Sequence, residues 1–233
     1  WCIQPSASID WIQVITSEES WQMELPQKAA SIKRYILDEA LAKRAVQKGS
    51  KIIQKAKVTS IEPPQRVGQP YIVTLSTGEK WHATTLLIST GRLLSSLTKQ
   101  APPPFCYIGA KAHFKGIDCK NTLQMHLAKG AYFGIAPIGD GEVNVAGLIA
   151  CRPEEAEHPD AVLSAFFQRS DARSLVEKLS RGCCLFDRWM TGPVPEFGLR
   201  TPPHMPQVYF LGDAAGVIPP ATGNSLSMGL TSG

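Results

Sequence analysis

The part of the sequence with the clearest chemical pattern is the short run at residues 207–211 and the dipeptide after it. The apolar run QVYFL, typical of a short buried strand, leads directly into Gly212-Asp213. Glycine lets the backbone turn sharply beyond the carboxyl end of a strand, which is where ligands bind in open α/β sheets. Asp213 then presents a carboxylate acceptor there, which suits a sugar hydroxyl group.

The residues after this turn predict a helix whose N-terminus faces the same ligand. Gly223 and Asn224 open a run of small and apolar residues, and Pro219 lies a few positions before them. The free N–H groups and the positive dipole end of a helix N-terminus favour an anion or an electron-rich ring edge. Strand, turn and helix together therefore predict a dinucleotide ligand.

The whole segment VYFLGDAAGVIPPATGNSLSMGLTSG resembles a known FAD-binding motif. It is similar to the second FAD motif of the flavoprotein family that contains para-hydroxybenzoate hydroxylase-type monooxygenases, flavin-dependent halogenases and geranylgeranyl reductases. The resemblance implies that the aspartate binds the ribitol or the nearby sugar-phosphate chain of FAD, and that the proline and the later turn lie against the isoalloxazine. Ser225 stands where the motif most often has glycine, which implies a looser backbone approach. The contacts implied in this segment are Gly212, Asp213, Pro219, Gly223, Asn224 and Ser225.

Three earlier segments carry the same resemblance in the same order. Arg34 begins RYILD, similar to the family's R-x-x-L-D, where the arginine reaches the FAD pyrophosphate or ribose; a guanidinium suits phosphate oxygens. Val58 lies in KVTSI, similar to the strand whose backbone holds the adenine. LLISTGR is similar to a strand ending in A-x-G-x-x-S, which brings Gly91 close to the cofactor, with Thr90 in place of the commoner acidic residue.

The resemblance extends over roughly residues 30 to 233 and implies an α/β fold. None of the 19 glycines has the G-x-G-x-x-G spacing of the opening phosphate-binding turn. We therefore expect an incomplete, N-terminally truncated Rossmann-like FAD domain that lacks its first βαβ unit and is split by an antiparallel β-sheet substrate domain. The expected order is a substrate-domain β-ribbon (1–25), part of the FAD domain (26–100), the substrate sheet (101–203) and the second FAD motif (204–233).

Hydrophobic patterning places these motifs on elements. Residues 8–25 predict a β-hairpin. The spacing of apolar residues predicts a helix over Ser31–Lys48, capped by Ser31 and ended by Gly49. Three further strands are predicted, the last as a parallel strand buried on both faces: 51–61, 71–76 and 84–89.

A second group of strands follows the proline-rich residues 101–104. Their spacing predicts an antiparallel meander with a hairpin turn at Gly139-Asp140-Gly141. A helical region over 159–181 follows it. The predicted strands of the meander are 107–114, 122–127, 131–137 and 143–150.

The segment YFGIAP, residues 132–137, bears on the substrate. Relatives of the family have Y-x-W-x-F-P or W-x-W-x-I-P there, so Gly134 and Ala136 replace large aromatic side chains. This loss either opens space or admits a neighbouring side chain, and it argues against a halogenase. His113 and His126 are expected to be structural, with His113 on a strand facing the same cavity. No residue is assigned as catalytic.

Composition narrows the class of protein. The net charge of +4 is spread along the chain, which disfavours a nucleic-acid partner. The six cysteines show no metal-binding spacing, so we expect no metal site and a reducing, cytoplasmic compartment. No run of residues reaches the length of a membrane span.

These observations predict an FAD-dependent enzyme, either a reductase or a monooxygenase. Its substrate would be an apolar or aromatic small molecule, and NAD(P)H would supply the electrons. The geranylgeranyl reductase-like pattern is the most similar one. The alternative is a non-catalytic remnant of the fold that acts as a binding module.

Overall fold

The computed structural model describes residues 5–66, 68–91, 106–194, 197–200, 205–222 and 225–232. The chain divides into two compact units, each built from two separate segments. The first unit comprises residues 1–43 and 102–195, and the second comprises residues 44–101 and 196–233. The division falls within the helix Arg34–Gln47, called α1.

The first unit is built on one large mixed sheet. Its strands are β1 (Ala7–Ile15), β2 (Ser20–Ser31), β7 (Cys106–Lys115), β8 (Thr122–Ala128), β9 (Ala131–Pro137), β10 (Glu142–Cys151), β11 (Cys183–Cys184) and β12 (Met190–Val194). The strand order is β11-β7-β10-β9-β8-β1-β2, and β12 also pairs with β7. All pairs are antiparallel except β1 with β8, which is parallel. The predicted strands of the insert are confirmed, but β7 pairs with β10 and not with its chain neighbour β8, so only β8, β9 and β10 form a meander.

The predicted hairpin is confirmed as β1 and β2, but β2 continues to Ser31. Ser31 therefore pairs with Ala7 at the end of the hairpin, and its carbonyl accepts a hydrogen bond from the Ser6 N–H. Its predicted role as helix cap is wrong because the pairing holds it in extended backbone, three residues before α1. The predicted C-terminal stop is confirmed, since Gly49 has a φ of +94° and lies two residues after Gln47, the last residue of the helix.

Two helices pack against one face of this sheet and form the main core of the first unit. They are α2 (Pro159–Phe167) and α3 (Arg173–Leu179), which confirm the helical region predicted over 159–181. Phe133 is fully buried, and its ring stacks on Phe166 at 5.1 Å and meets Trp189 edge-on at 6.1 Å. Aromatic pairs at such distances add to the free energy of burial. The helices thus fix which face of the sheet is closed and which is left for other contacts.

The described residues of the second unit form three small sheets. β3 (Val58–Glu62), β4 (Tyr71–Leu75) and β5 (Lys80–Ala83) form an antiparallel sheet, β6 (Leu86–Ile88) pairs in parallel with β14 (Val208–Phe210), and β13 (Gly198–Leu199) pairs with β15 (Gly216–Val217). An α-helix, α4 (Ser225–Ser232), follows these strands in the chain.

Two strand predictions in this unit need correction. The strand expected over 51–61 begins only at Val58, because Lys55 has a φ of +56° and interrupts the extended backbone. β6 is parallel as predicted but is not buried on both faces. Ile88 is 8% exposed, whereas Leu87 on the opposite face is 64% exposed, because the small cluster of Ile88 and Ala214 covers only one side.

Within the described ranges, no helix is both long and apolar enough to cross a membrane.

Candidate functional site

The site predicted from the sequence centres on the carboxyl edge of the parallel pair β6 and β14. Phe210 is opposite Ile88 at the ends of the two strands, and the Leu211 N–H donates to the Ile88 carbonyl at 2.9 Å. Each strand is then followed by a turn at a glycine: Gly91, after β6, has a φ of +69°, and Gly212, after β14, has a φ of +56°. The structure therefore brings two glycine turns, distant in sequence, to one edge of one sheet.

Asp213 is held in a short 3-10 helix that begins at this edge. The helix covers Gly212–Ala214, and Ala214 is fully buried against Ile88. This contact anchors the turn, so the half-buried Asp213 is fixed beside the strand ends. A side chain other than hydrogen at position 212 would be strained by the left-handed backbone, although an added Cβ would meet no atom within 4 Å.

A cavity of about 340 Å³ adjoins this turn, and its walls are mostly apolar with the single carboxylate of Asp213 among them. The lining residues are Gly198, Leu199, Phe210, Gly212, Asp213, Ala215, Gly216, Val217, Ile218, Pro219, Met228 and Gly229.

The close pairing of β13 with β15 forms one wall of the cavity. A Cβ at Gly216 would lie 3.0 Å from the Gly198 carbonyl oxygen and 3.2 Å from the Leu199 Cα atom. A larger residue at position 216 would therefore force the neighbouring backbone to shift by a few tenths of an ångström. The Arg200 N–H donates to the Ala215 carbonyl at 2.9 Å and extends the same contact.

The chemistry of these walls fits part of an FAD molecule. Apolar side chains and bare backbone suit a flat ring, and a half-buried carboxylate suits a hydroxyl-bearing chain. An added Cβ at either Gly212 or Gly229 would meet nothing within 4 Å, so the backbone there is open to close approach. The cavity is far smaller than a whole FAD, so it accommodates one portion of the cofactor.

The predicted cofactor residues differ in where the structure places them. Asp213, Gly212 and Pro219 line one cavity, and Gly91 lies at the same sheet edge without lining it. Val58 lies on β3 and is 47% exposed, outside the residues that line the cavity. Its contact with the cofactor stays a prediction.

Arg34 lies at the start of α1 in the first unit. Its Nε and Nη2 atoms each donate to Asp38 at 3.2 Å, one turn along the helix, and both side chains are more than half exposed. Its contact with the FAD pyrophosphate or ribose also stays a prediction. The predicted contacts Gly223 and Asn224 lie outside the described residues, and Ser225 is the first residue of α4.

Several residues of the cavity wall were not predicted from the sequence. Phe210, Leu199 and Met228 are among them, and Leu199 is 92% exposed. The pair Gly198-Leu199 forms a strand of only two residues, too short for a periodic pattern. The available signal in the sequence was Gly216, because a glycine at such a position allows another segment of backbone to approach closely.

The face of the first unit's sheet opposite α2 and α3 carries the substrate-related segment. Side chains alternate along a strand, so Gly134 faces away from the helices because Phe133 faces them. Gly134 is paired with Met125, and a Cβ at Gly134 would lie 3.4 Å from the Met125 Sδ atom. The sequence left two outcomes open for the loss of the aromatic residue, an open space or a neighbouring side chain in its place. At Gly134 the structure shows the second outcome, since Met125 lies there.

The two histidines noted in the sequence lie on opposite faces of this sheet. His113 shares the face of Gly134, as predicted, and its ring lies 4.8 Å from that of Phe186. Burial, with Lys111 adding repulsion, lowers its pKa. His126 faces the helices, where Ser174 Oγ lies 3.2 Å from its Nδ1 atom. Burial and then Lys178 lower the pKa of His126 to about 4, which fits a structural residue.

The chain shares its mixed α/β fold with solved structures of flavin-dependent enzymes. The fold class implied by the sequence resemblance is therefore confirmed. No protein-family model matches the sequence, and no curated protein matches it either.

Solved structures with this fold include halogenases and a reductase-like protein. A triple mutant of the flavin-dependent brominase Bmp2 superposes with a TM-score of 0.77 at 14% identity, covering 97% of this chain and 61% of its own. A variant of halogenase PltM in complex with FAD gives 0.74 at 12% identity, covering 97% and 51%. A geranylgeranyl bacteriochlorophyll reductase-like protein from Thermoplasma acidophilum gives 0.73 at 17%, covering 97% and 60%. The chain thus spans about three fifths of the length of the brominase and the reductase-like protein.

Proposed function

We propose that this chain binds FAD at the carboxyl edge of β6 and β14 and forms part of an FAD-dependent oxidoreductase. The observation that carries the proposal is the position of Asp213, half-buried at that edge and lining a cavity with mostly apolar walls. Bound FAD supplies the redox chemistry of such enzymes, while the protein supplies position and polarity.

The role proposed for Asp213 follows from its surroundings. Its carboxylate accepts hydrogen bonds only, so it suits a hydroxyl-bearing chain such as that of FAD. The buried Ala214 fixes the turn, which keeps the entropy cost of ordering the carboxylate low. Gly212 and Gly91 let the backbone approach the ligand.

The substrate proposed is an apolar or aromatic small molecule. It would lie against the face of the first unit's sheet that is opposite α2 and α3. Tyr132, Gly134 and Met125 lie on this face, and burial raises the pKa of Tyr132 to about 12, so it stays neutral. The part of the face around these three residues is uncharged, unlike the part around His113, where Lys111 and Glu142 lie. An uncharged surface favours an uncharged substrate.

The reaction proposed is either reduction of the substrate or its monooxygenation, with NAD(P)H as the electron source. Support for the choice between them comes only from likeness. One similar structure is called reductase-like, and another is a probable FAD-dependent monooxygenase from Pseudomonas aeruginosa.

The test is FAD binding by the purified chain, measured as quenching of flavin fluorescence and as a visible flavin spectrum. We expect Asp213→Ala to weaken binding about 10- to 100-fold, because a charge-assisted hydrogen bond contributes about 1.5–3 kcal/mol. Glu79→Gln is the matched control, since this exposed acidic residue lies in the turn between β4 and β5 of the same unit.

The result that contradicts the proposal is equal FAD affinity in the Asp213→Ala variant and the parent chain. A folded, colourless chain that does not take up added FAD would contradict it more strongly and would favour the non-catalytic binding module.

A further inference from the structure

Two cysteines of the first unit lie side by side across a pair of strands. Cys106 begins β7 and Cys151 ends β10, and the antiparallel register places them directly opposite each other. Their Sγ atoms are 3.4 Å apart. Each sulfur also lies close to the other residue's carbonyl oxygen, at 3.7 Å for Cys106 Sγ and 3.6 Å for Cys151 Sγ.

This geometry is close to that of a disulfide. Opposite residues of an antiparallel pair have Cα atoms about 4.5–5.5 Å apart, within the range of about 4.4–6.8 Å that disulfides occupy. The bonded sulfur distance is about 2.05 Å. Closing the bond therefore requires the two sulfurs to approach by little more than an ångström, which side-chain rotation can provide without moving the strands.

We propose that Cys106 and Cys151 are a modification site at which a peroxide converts the two thiols into an intramolecular disulfide. In the first step the Cys106 sulfur attacks one peroxide oxygen. The S–O bond forms, the O–O bond breaks, and water leaves. In the second step the Cys151 sulfur attacks the Cys106 sulfur, the S–S bond forms, and the S–O bond breaks with loss of a second water. Two thiols are oxidised and one hydrogen peroxide is reduced to two waters.

The order of the two steps follows from exposure. Cys106 is half-buried, whereas Cys151 is 6% exposed, so Cys106 is the thiol that an oxidant reaches. Burial and the adjacent Cys106 raise the pKa of Cys151 to about 12, which keeps it protonated at neutral pH. Because the thiolate is the nucleophile, Cys151 does not react first with the peroxide. In the second step its proton passes to the departing hydroxyl of the oxidised Cys106, which leaves as water while the S–S bond forms.

The other described cysteines lack this arrangement. Cys119 is buried, and burial raises the pKa of its thiol to about 11. Cys183 and Cys184 are neighbours on β11, where alternation points their side chains to opposite faces of the sheet. Cys184 Sγ instead lies 3.4 Å from the Phe186 carbonyl oxygen.

The test is peptide mapping of the full chain after exposure to hydrogen peroxide and blocking of free thiols with N-ethylmaleimide. Trypsin cuts after Lys99, Lys111 and Lys129 and spares the bond between Arg152 and proline. The peptides 100–111 and 130–169 therefore contain one cysteine each, Cys106 and Cys151. We expect these two peptides to be joined, to lose both maleimide labels, and to separate on treatment with dithiothreitol.

Two variants make the result specific. Cys106→Ser should abolish the joined peptide, and Cys119→Ser should leave its yield unchanged. Recovery of the two peptides unjoined, with Cys106 blocked or oxidised to the sulfinic acid, overturns the proposal. A joined pair found only in a covalent dimer on a non-reducing gel also overturns it. If Cys106→Ser does not fold, the map of the parent chain alone decides.

Discussion

Protonation of His126 should make the folded chain less stable in mild acid, and the structure sets the size of this effect. His126 is 7% exposed, and its Nε2 atom has no hydrogen-bond partner among the described residues. Lys178 adds positive charge nearby, and Asp171, Glu177 and Arg181 lie around the same part of the surface. A second proton on this ring would put a charge in a buried, partly unsatisfied position.

The sign follows from the direction of the pKa change. In the folded chain the pKa of His126 is lowered from 6.5 to about 4, so the unfolded chain binds the proton first as the pH falls. The stability is unaffected above pH 6.5 and decreases as the pH falls toward 4. The full difference corresponds to about 3 kcal/mol, of which about 2 kcal/mol is lost by pH 5.

The assay is urea unfolding followed by circular dichroism at a series of pH values from 7.5 to 4.5. His126→Gln cannot titrate, so its unfolding free energy should fall by about 2 kcal/mol less than that of the parent chain between pH 7 and pH 5. His82→Gln is the control, because His82 is exposed on β5, and it should keep the parent's pH dependence.

An equal pH dependence in His126→Gln and the parent chain would refute the reasoning. If His126→Gln does not fold, the ring protons of His126 can be titrated by NMR in the parent chain. A midpoint near 6.5 would then contradict the burial argument directly.

Two further predictions concern packing in the same sheet. In Gly147→Ala the added Cβ would lie 2.5 Å from the Phe133 Cγ atom, so we expect a loss of about 3 kcal/mol in thermal or urea unfolding. Gly192→Ala has no atom within 4 Å of the added Cβ and should change stability by only about 0.5 kcal/mol; similar losses in both variants would contradict the clash. Gly134→Val should also lower the free energy of unfolding, because the new side chain would meet Met125. In a double-mutant cycle, Met125→Ala should reduce this loss by about 1 kcal/mol. Strictly additive effects would show that the two side chains do not compete for space.

The features that could be predicted from the sequence were those that depend on residues close together in the sequence. The turn at Gly212, the stop at Gly49 and the alternation of the insert strands are local patterns, and the structure has each of them. The prediction that Ser31 caps the helix was wrong because Ser31 pairs with Ala7, which is distant in sequence, and this pairing keeps Ser31 in a strand. The pairing of β7 with β10 is also long-range, and nothing in either strand alone specifies it.

The candidate site was predictable in part for the same reason. Asp213 follows its strand directly, so its place at the sheet edge could be inferred. The wall formed by Gly198 and Leu199 could not be inferred from the sequence, because a strand of two residues shows no periodic pattern. In addition, Leu199 and its partner Gly216 are brought together only by folding. Met125 likewise occupies the space over Gly134 through pairing between β8 and β9, which an aromatic-to-glycine comparison of sequences does not reveal.

The pairing of β6 with β14 also has a consequence for folding order. Residues 102–195, most of the first unit, lie between these strands in the chain. During synthesis, the carboxyl edge that holds Asp213 therefore cannot form until that long segment has left the ribosome. Closing so large a loop is slow, and until then β6 lacks its partner β14. The proposed cofactor site is thus among the last parts of the chain to assemble, and mutations that slow folding of the inserted sheet should reduce FAD incorporation without touching a single cofactor contact.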